Sequence, residues 1–102
     1  MEYVTSAQVA QLQSEGKKLL VQYTADWCGE PCELLTPRLS DLSNQYSDVT
    51  FVNVDLEQNS NAVLELGIDI VPTIMIYNGQ TLINRSVGAN KDFVYSEILD
   101  NL

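Results

Sequence analysis

The order of apolar patterns in the first half of the chain most constrains its fold. Lys18–Thr24 is a mostly apolar run typical of a buried strand, and Val49–Val54 is a second one. Between them Leu35, Leu39 and Leu42 recur at helical intervals. Two strands joined through a helix pair in parallel with a right-handed crossover. This strand–helix–strand unit predicts an α/β protein.

The rest of the chain adds helices and a hairpin. Asn78-Gly79 is a strong hairpin signal and predicts two antiparallel strands. The two strands of this hairpin are predicted over Thr73–Tyr77 and Leu82–Val87. Helices are predicted from Thr5 or Ser6 to Gly16, up to about Tyr46 with a kink at Pro37, and over Asn59–Leu66, ended by Gly67. A last helix, capped by Asn90, carries Phe93, Val94, Ile98 and Leu102. We therefore expect a mixed central β-sheet with helices on both faces, in a single domain over residues 1–102.

The composition limits what the chain can bind. It has 14 acidic and 5 basic residues, and the net charge of -9 argues against non-specific nucleic-acid binding and against anionic membrane surfaces. No histidine is present, so neither a Cys-His nor a Ser-His-Asp catalytic unit can form. No secretory signal or membrane-spanning run is visible, so we expect a cytoplasmic protein without direct nucleic-acid or membrane partners.

Both cysteines lie in the segment Trp27–Cys32 (WCGEPC), between the first buried strand and the long helix. Three residues separate them, where the familiar redox spacing is two. Two thiols this close can form a reversible disulfide, donate two electrons or bind a soft metal. In a reducing cytosol redox chemistry or metal binding is expected more often than a structural disulfide. Pro31 fits the first helical turn, where its missing N–H would have no partner.

The chain resembles a thioredoxin over nearly its whole length. Besides the cysteine segment, the matching motifs are, in order, the preceding strand, Pro37, Asn53–Asp55, Gly67-Ile68, Val71-Pro72-Thr73, Asn78-Gly79 and Val87-Gly88-Ala89. This resemblance implies the thioredoxin fold and a thiol–disulfide oxidoreductase that reduces protein disulfides. It also implies a monomer without cofactor or metal, whose partners are disulfide-containing proteins and a thioredoxin-reductase-type electron donor.

The resemblance assigns roles to individual residues. Cys28 would be the nucleophile and Cys32 the resolving thiol, and Pro72 would be a cis proline lying against the active site. The residues that would border a groove for an extended protein substrate are Trp27, Gly29, Pro31, Val71, Pro72, Val87, Gly88 and Ala89.

Two departures from the family pattern concern the tuning of the thiols. Glu30 lies between the cysteines and Glu33 follows them, with Asp26 nearby. Carboxylates disfavour a neighbouring thiolate, so we expect weaker activation of Cys28 than in a typical thioredoxin unless these charges are well solvated.

Gln22 stands where thioredoxins typically have a buried aspartate, and Phe51 replaces its usual lysine partner. We interpret Gln22 as a satisfied buried amide and expect resolution by the second thiol to be slow or water-dependent.

The third departure is the cysteine spacing. Residues four apart share one face of a helix, so the Cα separation of about 4.4–6.8 Å that a disulfide needs is attainable. Either the loop bulges to absorb the additional residue, or the helix begins one residue differently. We predict a disulfide that forms with an altered reduction potential.

Two other functions stay open from the sequence. Loss of the aspartate and lysine favours a largely non-catalytic partner subunit, for example a processivity-type accessory protein, whereas the retained cysteines, Trp27 and Val71-Pro72 oppose it. A soft-metal site such as a copper site is disfavoured, because two thiolates without a histidine bind Cu(I) incompletely.

Overall fold

The computed structural model describes residues 1–88 and 95–102. Its strands are β1 (Glu2–Tyr3), β2 (Lys18–Thr24), β3 (Val49–Asp55), β4 (Thr73–Asn78) and β5 (Thr81–Val87). Its α-helices are α1 (Ser6–Ser14), α2 (Glu30–Gln45), α3 (Ser60–Leu66) and α4 (Tyr95–Asp100). The predicted cap at Asn90, with Phe93 and Val94, lies outside the described residues.

The strands form one mixed sheet in the order β1-β3-β2-β4-β5. β3 is parallel to both β1 and β2, as expected for a strand–helix–strand unit. β4 runs antiparallel to β2 and to β5. β2 is therefore the central strand, hydrogen-bonded along both of its edges. The predicted mixed sheet with helices on both faces is confirmed, and the two-residue β1 is an addition.

Two apolar layers cover the two faces of the sheet, because successive strand residues point to opposite sides. Leu19, Val21 and Tyr23 of β2 pack on one face in a cluster that contains α1 and α3 residues. Leu20 packs on the other face with Leu35 of α2 and further residues of α4. β2 is thus buried on both faces, which explains why its sequence reads as a nearly continuous apolar run.

The ends of several elements follow local sequence signals. Thr5 caps α1, and its hydroxyl and the Gln8 side chain form a reciprocal capping box. Gly67 ends α3 with a left-handed conformation at φ 64°. Asn78 pairs with Thr81, so the hairpin loop is Gly79-Gln80, one residue later than the Asn78-Gly79 turn that we predicted. Pro37 lies inside α2 as expected, and the kink there stays a prediction.

Within the described ranges, no helix is long and apolar enough to cross a membrane.

A matched pair of leucines tests the layer between α2 and the sheet. Leu39 is 0% exposed, whereas Leu64 on α3 is 87% exposed. Leu39→Ala should lower the free energy of unfolding by about 2–5 kcal/mol, because it removes buried contacts and leaves a cavity. Leu64→Ala should change it by less than about 0.5 kcal/mol. Urea denaturation followed by circular dichroism measures both; equal losses would contradict the packing described.

Candidate active site

The cysteine segment begins where the central strand ends. After Thr24, Ala25 is extended and Asp26–Cys28 forms a single 3-10 turn, in which the Cys28 amide donates to the Ala25 carbonyl at 3.0 Å. The helix α2 then starts at Glu30. Because β2 is fixed on both edges and both faces, this turn is attached to the most constrained part of the sheet.

The two cysteine sulfurs are bonded to each other, and their Cα atoms lie 5.9 Å apart. The expectation that this spacing permits a disulfide is confirmed. The reason is not the shared helix face that the sequence suggested, however. Cys28 lies in the 3-10 turn and only Cys32 lies in α2, so the two do not occupy one face of a single helix.

Gly29 makes the turn between Cys28 and the helix. Its φ of 70° and ψ of -139° form a conformation that residues with a Cβ rarely adopt. The loop therefore bends at this glycine, and Glu30 and Pro31 are already helical. Pro31 occupies the first turn as predicted, where it forfeits no intrahelical hydrogen bond.

Both cysteines open onto one cleft, with a volume of about 480 Å³. Strand β2 contributes Gln22 and Thr24, and α2 contributes Glu33, Thr36 and Pro37. Tyr3 of β1, Ala25, Asp26 and Gly29 complete the lining. Sequence reasoning missed Tyr3 because β1 is too short to carry a pattern.

The two sulfurs differ in their surroundings, although both cysteines are partly exposed. The Cys32 sulfur lies 3.1 Å from the hydroxyl of Thr24, a residue that is only 7% exposed. Sequence reasoning also missed Thr24. The signal was available, because Thr24 is two residues beyond Gln22 and so lies on the same face of the strand.

Gln22 is buried, but the prediction of a fully satisfied amide is wrong. Its Oε1 accepts a long hydrogen bond of 3.4 Å from the Thr36 hydroxyl. Its Nε2 is buried with no hydrogen-bond acceptor among the described residues. Phe51 lies in the apolar layer beside α2, opposite Leu20. An uncharged amide and an aromatic ring thus occupy the positions where the resemblance would place an aspartate and its lysine partner.

The turn before β4 lies at the same edge of the sheet as the cysteine segment. Tyr23 of β2 pairs with Thr73, the first residue of β4, so Val71 and Pro72 lie just beyond the carboxyl end of β2. The peptide bond between Val71 and Pro72 is cis, the form that the resemblance implied. The Gly88 amide donates to the Pro72 carbonyl at 2.7 Å, which ties the end of β5 to this turn.

A second hollow, which includes Trp27 of the cysteine segment, is lined mainly by apolar side chains. Trp27 and Val71 line it together with Ala25, Leu56, Val63 and Ile68, and Glu57 and Asp69 lie at its margin; its volume is about 290 Å³. Trp27 is 68% exposed, and Val87 at the end of β5 is also exposed. Ile70 is an exposed residue next to Val71 that sequence reasoning missed. Ala89 lies outside the described residues.

The three carboxylates around the cysteines are all exposed. Asp26 belongs to the 3-10 turn, and Glu30 and Glu33 lie in the first turn of α2. Acidic residues stabilise a helix N-terminus through the helix dipole, the same dipole that favours a thiolate at Cys28. Because water screens exposed charges, their repulsion of that thiolate is modest.

No group of three or more histidine, cysteine or acidic residues that could hold a metal ion occurs among the residues that the structure describes.

A bonded cysteine pair that opens onto a cleft at a strand–helix junction is the arrangement of a dithiol–disulfide protein. The family model described as Thioredoxin matches residues 2–100 of the chain. Thioredoxin-1 of Schizosaccharomyces pombe is 34% identical over 97 residues, which are 95% of this chain and 93% of that protein. Thioredoxin-2 of Saccharomyces cerevisiae is 32% identical over 91 residues, 89% of this chain and 86% of that protein.

Solved structures agree with the sequence relatives. Mitochondrial thioredoxin 3 from Saccharomyces cerevisiae, in its oxidized form, aligns with a TM-score of 0.85 and 26% identity, covering 100% of this chain and 94% of that one. The chain belongs to the thioredoxin family and has the thioredoxin fold. Its close pair of cysteines makes it a thiol–disulfide oxidoreductase.

The effect of these carboxylates on the pKa of Cys28 can be measured in a variant that has one thiol. In a Cys32→Ser background, we expect Glu30→Gln with Glu33→Gln to lower the pKa of the Cys28 thiol by a few tenths of a unit at low salt, because two negative charges near the thiolate are removed. High salt should shrink the difference. Glu65→Gln, a change at an exposed residue on α3, is the control. The pH dependence of alkylation by iodoacetamide gives the pKa, and an unchanged or higher value would contradict this account.

Proposed function

We propose that this protein reduces disulfides in other proteins, with Cys28 as the attacking thiol and Cys32 as the resolving thiol. The observation that carries the proposal is the bonded pair at the mouth of an open cleft, beside the N-terminus of α2. A pair that bonds within a rigid fold, and that a substrate can reach, has what reversible thiol–disulfide exchange requires.

The position of Cys28 supports its role as the nucleophile. It precedes α2 by two residues, next to backbone amides of the first turn that have no intrahelical acceptor. These amides and the helix dipole favour the thiolate over the thiol. The Cys28 thiolate attacks one sulfur of the substrate disulfide; the substrate S–S bond breaks as a mixed disulfide forms, and the other substrate sulfur leaves as a thiolate that takes a proton from water.

Cys32 then completes the transfer of two electrons. As a thiolate it attacks the Cys28 sulfur, which breaks the mixed disulfide and releases the second substrate thiol. The protein is left with the Cys28–Cys32 disulfide, the form that the structure contains. A separate electron donor of the thioredoxin-reductase type restores the dithiol by the reverse exchange.

The surface near Cys28 supports an extended polypeptide as the substrate. Trp27 and Val71 present apolar area, and Val87, which pairs with Thr73, is exposed at the end of β5. We propose that Gly29, Pro31, Pro72, Gly88 and Ala89 contribute to the same substrate-binding surface. Burial of apolar area beside the attacked disulfide would favour protein substrates over small disulfides.

The net charge of the chain suggests the kind of substrate, and its thiol chemistry suggests the location. With a net charge of -9, the chain repels nucleic acids and other acidic surfaces, so we propose basic or neutral protein substrates. We also propose that it acts as a single domain and a monomer in the cytoplasm, where reduced thiols prevail.

Two single substitutions test the assignment of the thiols. With dithiothreitol as the electron donor, wild type should accelerate the reduction of insulin, and both Cys28→Ser and Cys32→Ser should lose that activity. When the reduced proteins are mixed with insulin without dithiothreitol, only Cys32→Ser should accumulate a covalent complex, because it can attack but cannot resolve. Mass spectrometry under non-reducing conditions detects the complex, and an excess of dithiothreitol should release it.

Two other outcomes would contradict these assignments. A complex formed by Cys28→Ser and not by Cys32→Ser would reverse the two roles. Equal inertness of wild type and Cys28→Ser would overturn the reductase proposal in favour of a partner subunit.

A further inference from the structure

The wall of the cleft behind Cys32 is built from β2 and α2. Leu20 of β2 packs towards α2, so Gln22 and Thr24, two and four residues further along, lie on that same face. Gln22 is 1% exposed and Thr24 is 7% exposed. The wall therefore carries a neutral amide and a hydroxyl, and neither can act as a base of carboxylate strength.

Of these two groups, Thr24 is the one in contact with sulfur. Its Oγ1 lies 3.1 Å from the Cys32 sulfur. In the disulfide that sulfur carries no hydrogen, so the hydroxyl is the donor and the sulfur the acceptor. A sulfur that gains negative charge is a stronger acceptor than a disulfide sulfur, so this hydrogen bond strengthens when Cys32 becomes a thiolate.

Both partners of this contact are held by the backbone. Thr24 ends the strand that pairs with β3 at Asp55, and its carbonyl accepts from the Leu56 amide at 2.9 Å. Cys32 is the third residue of α2. Reduction breaks only the sulfur–sulfur bond and leaves both backbone positions in place, so the hydroxyl and the Cys32 sulfur stay neighbours in the dithiol.

We propose that the Thr24 hydroxyl stabilises the Cys32 thiolate by a hydrogen bond and so promotes the resolving step. The proposal rests on the proposed function, in which Cys32 breaks the mixed disulfide. Thr24 keeps its own proton throughout. The proton of the Cys32 thiol passes to water in the open cleft, and the thiolate electron pair forms the new bond to the Cys28 sulfur.

Other titratable groups face the same cleft and must be separated from Thr24. They are Tyr3 of β1, Asp26 of the 3-10 turn, Glu33 of α2 and Cys28 itself. Both carboxylates and Tyr3 are exposed. Replacement of Cys28 by serine removes the second thiol and leaves the acidic groups unchanged in every variant compared.

The direct experiment measures the pKa of Cys32 in the reduced Cys28→Ser protein, from the ultraviolet absorbance of its thiolate. Thr24→Val removes the hydroxyl with little change in volume and should raise this pKa by about one unit, the scale of a hydrogen bond to a charged group. Thr24→Ser keeps a donor and should restore most of the shift. Thr50→Val is the matched control, since Thr50 is a partly buried threonine of β3 opposite Leu19, near the other end of β2.

A kinetic measurement with both cysteines present supplies a second readout. Thr24→Val has about tenfold less thiolate at neutral pH, partly offset by the greater nucleophilicity of a more basic thiolate, so the mixed disulfide should resolve about threefold more slowly. At a pH where Cys32 is fully ionised in both proteins the order should reverse, and Thr24→Val should resolve about threefold faster, because only the greater nucleophilicity of its thiolate remains. A packing defect would slow resolution at every pH.

The outcomes separate this inference from the proposed function. If wild type reduces insulin and Thr24→Val changes neither the Cys32 pKa nor the pH dependence of resolution, the role of Thr24 is overturned and the reductase stands. If Thr24→Val raises the pKa in a protein that reduces no protein disulfide, the hydrogen bond stands and the reductase proposal fails.

Discussion

The central strand β2 is hydrogen-bonded along both edges, and the functional site depends on that constraint. Its partners are β3 in parallel and β4 antiparallel, and both of its faces are covered by apolar layers. A strand held from four sides has a fixed carboxyl end. The turn that carries Cys28, and the helix that carries Cys32, both start from this fixed point.

The direction of the neighbouring strands brings the remaining parts of the site to the same edge. β4 begins opposite the end of β2, so the cis bond before Pro72 lies beside the cysteine segment. β5 returns to this edge, where Gly88 donates to the Pro72 carbonyl. Residues from three distant parts of the sequence thus meet because of strand register.

The same register shows which groups face Cys32 in place of a buried carboxylate. A strand alternates its side chains, so a residue that faces α2 is followed two positions later by another. Gln22 occupies the first such position as a neutral amide, and Thr24 occupies the second, in contact with the Cys32 sulfur. In place of a carboxylate, the wall presents a hydroxyl donor to the Cys32 sulfur. Such a wall favours an anionic sulfur without accepting its proton, which shifts the chemistry from general-base catalysis to stabilisation of the thiolate.

Most of the fold could be predicted from the sequence, because periodicity and end signals decide the long elements. β2 was predicted with the bounds that the structure gives, since burial on both faces produces a continuous apolar run. β1 could not be predicted, because Glu2–Tyr3 has two exposed residues and no pattern. Its existence depends on pairing with β3, a contact between residues about fifty positions apart.

The candidate site was predicted less completely, for a different reason. Cys28, Cys32 and Pro72 follow from a motif, and the structure brings their segments to one edge of the sheet. The contact of Thr24 with sulfur depends on how α2 packs against β2, which no local pattern encodes. The same holds for the Gln22 Nε2, which has no acceptor within residues 1–88 and 95–102. The turn at Gly29 could not be predicted either, because its position depends on where α2 begins.

The central claim is that Cys28 and Cys32 form a reversible two-electron couple within this fold. Equilibration of the protein across a series of glutathione ratios, with free thiols then trapped by alkylation and counted by mass spectrometry, tests it most directly. We expect one transition between species with two thiols and none, with a slope for two electrons and the same midpoint from either direction. A protein that keeps both thiols free throughout, or that accumulates glutathione adducts instead of the internal disulfide, would contradict the account.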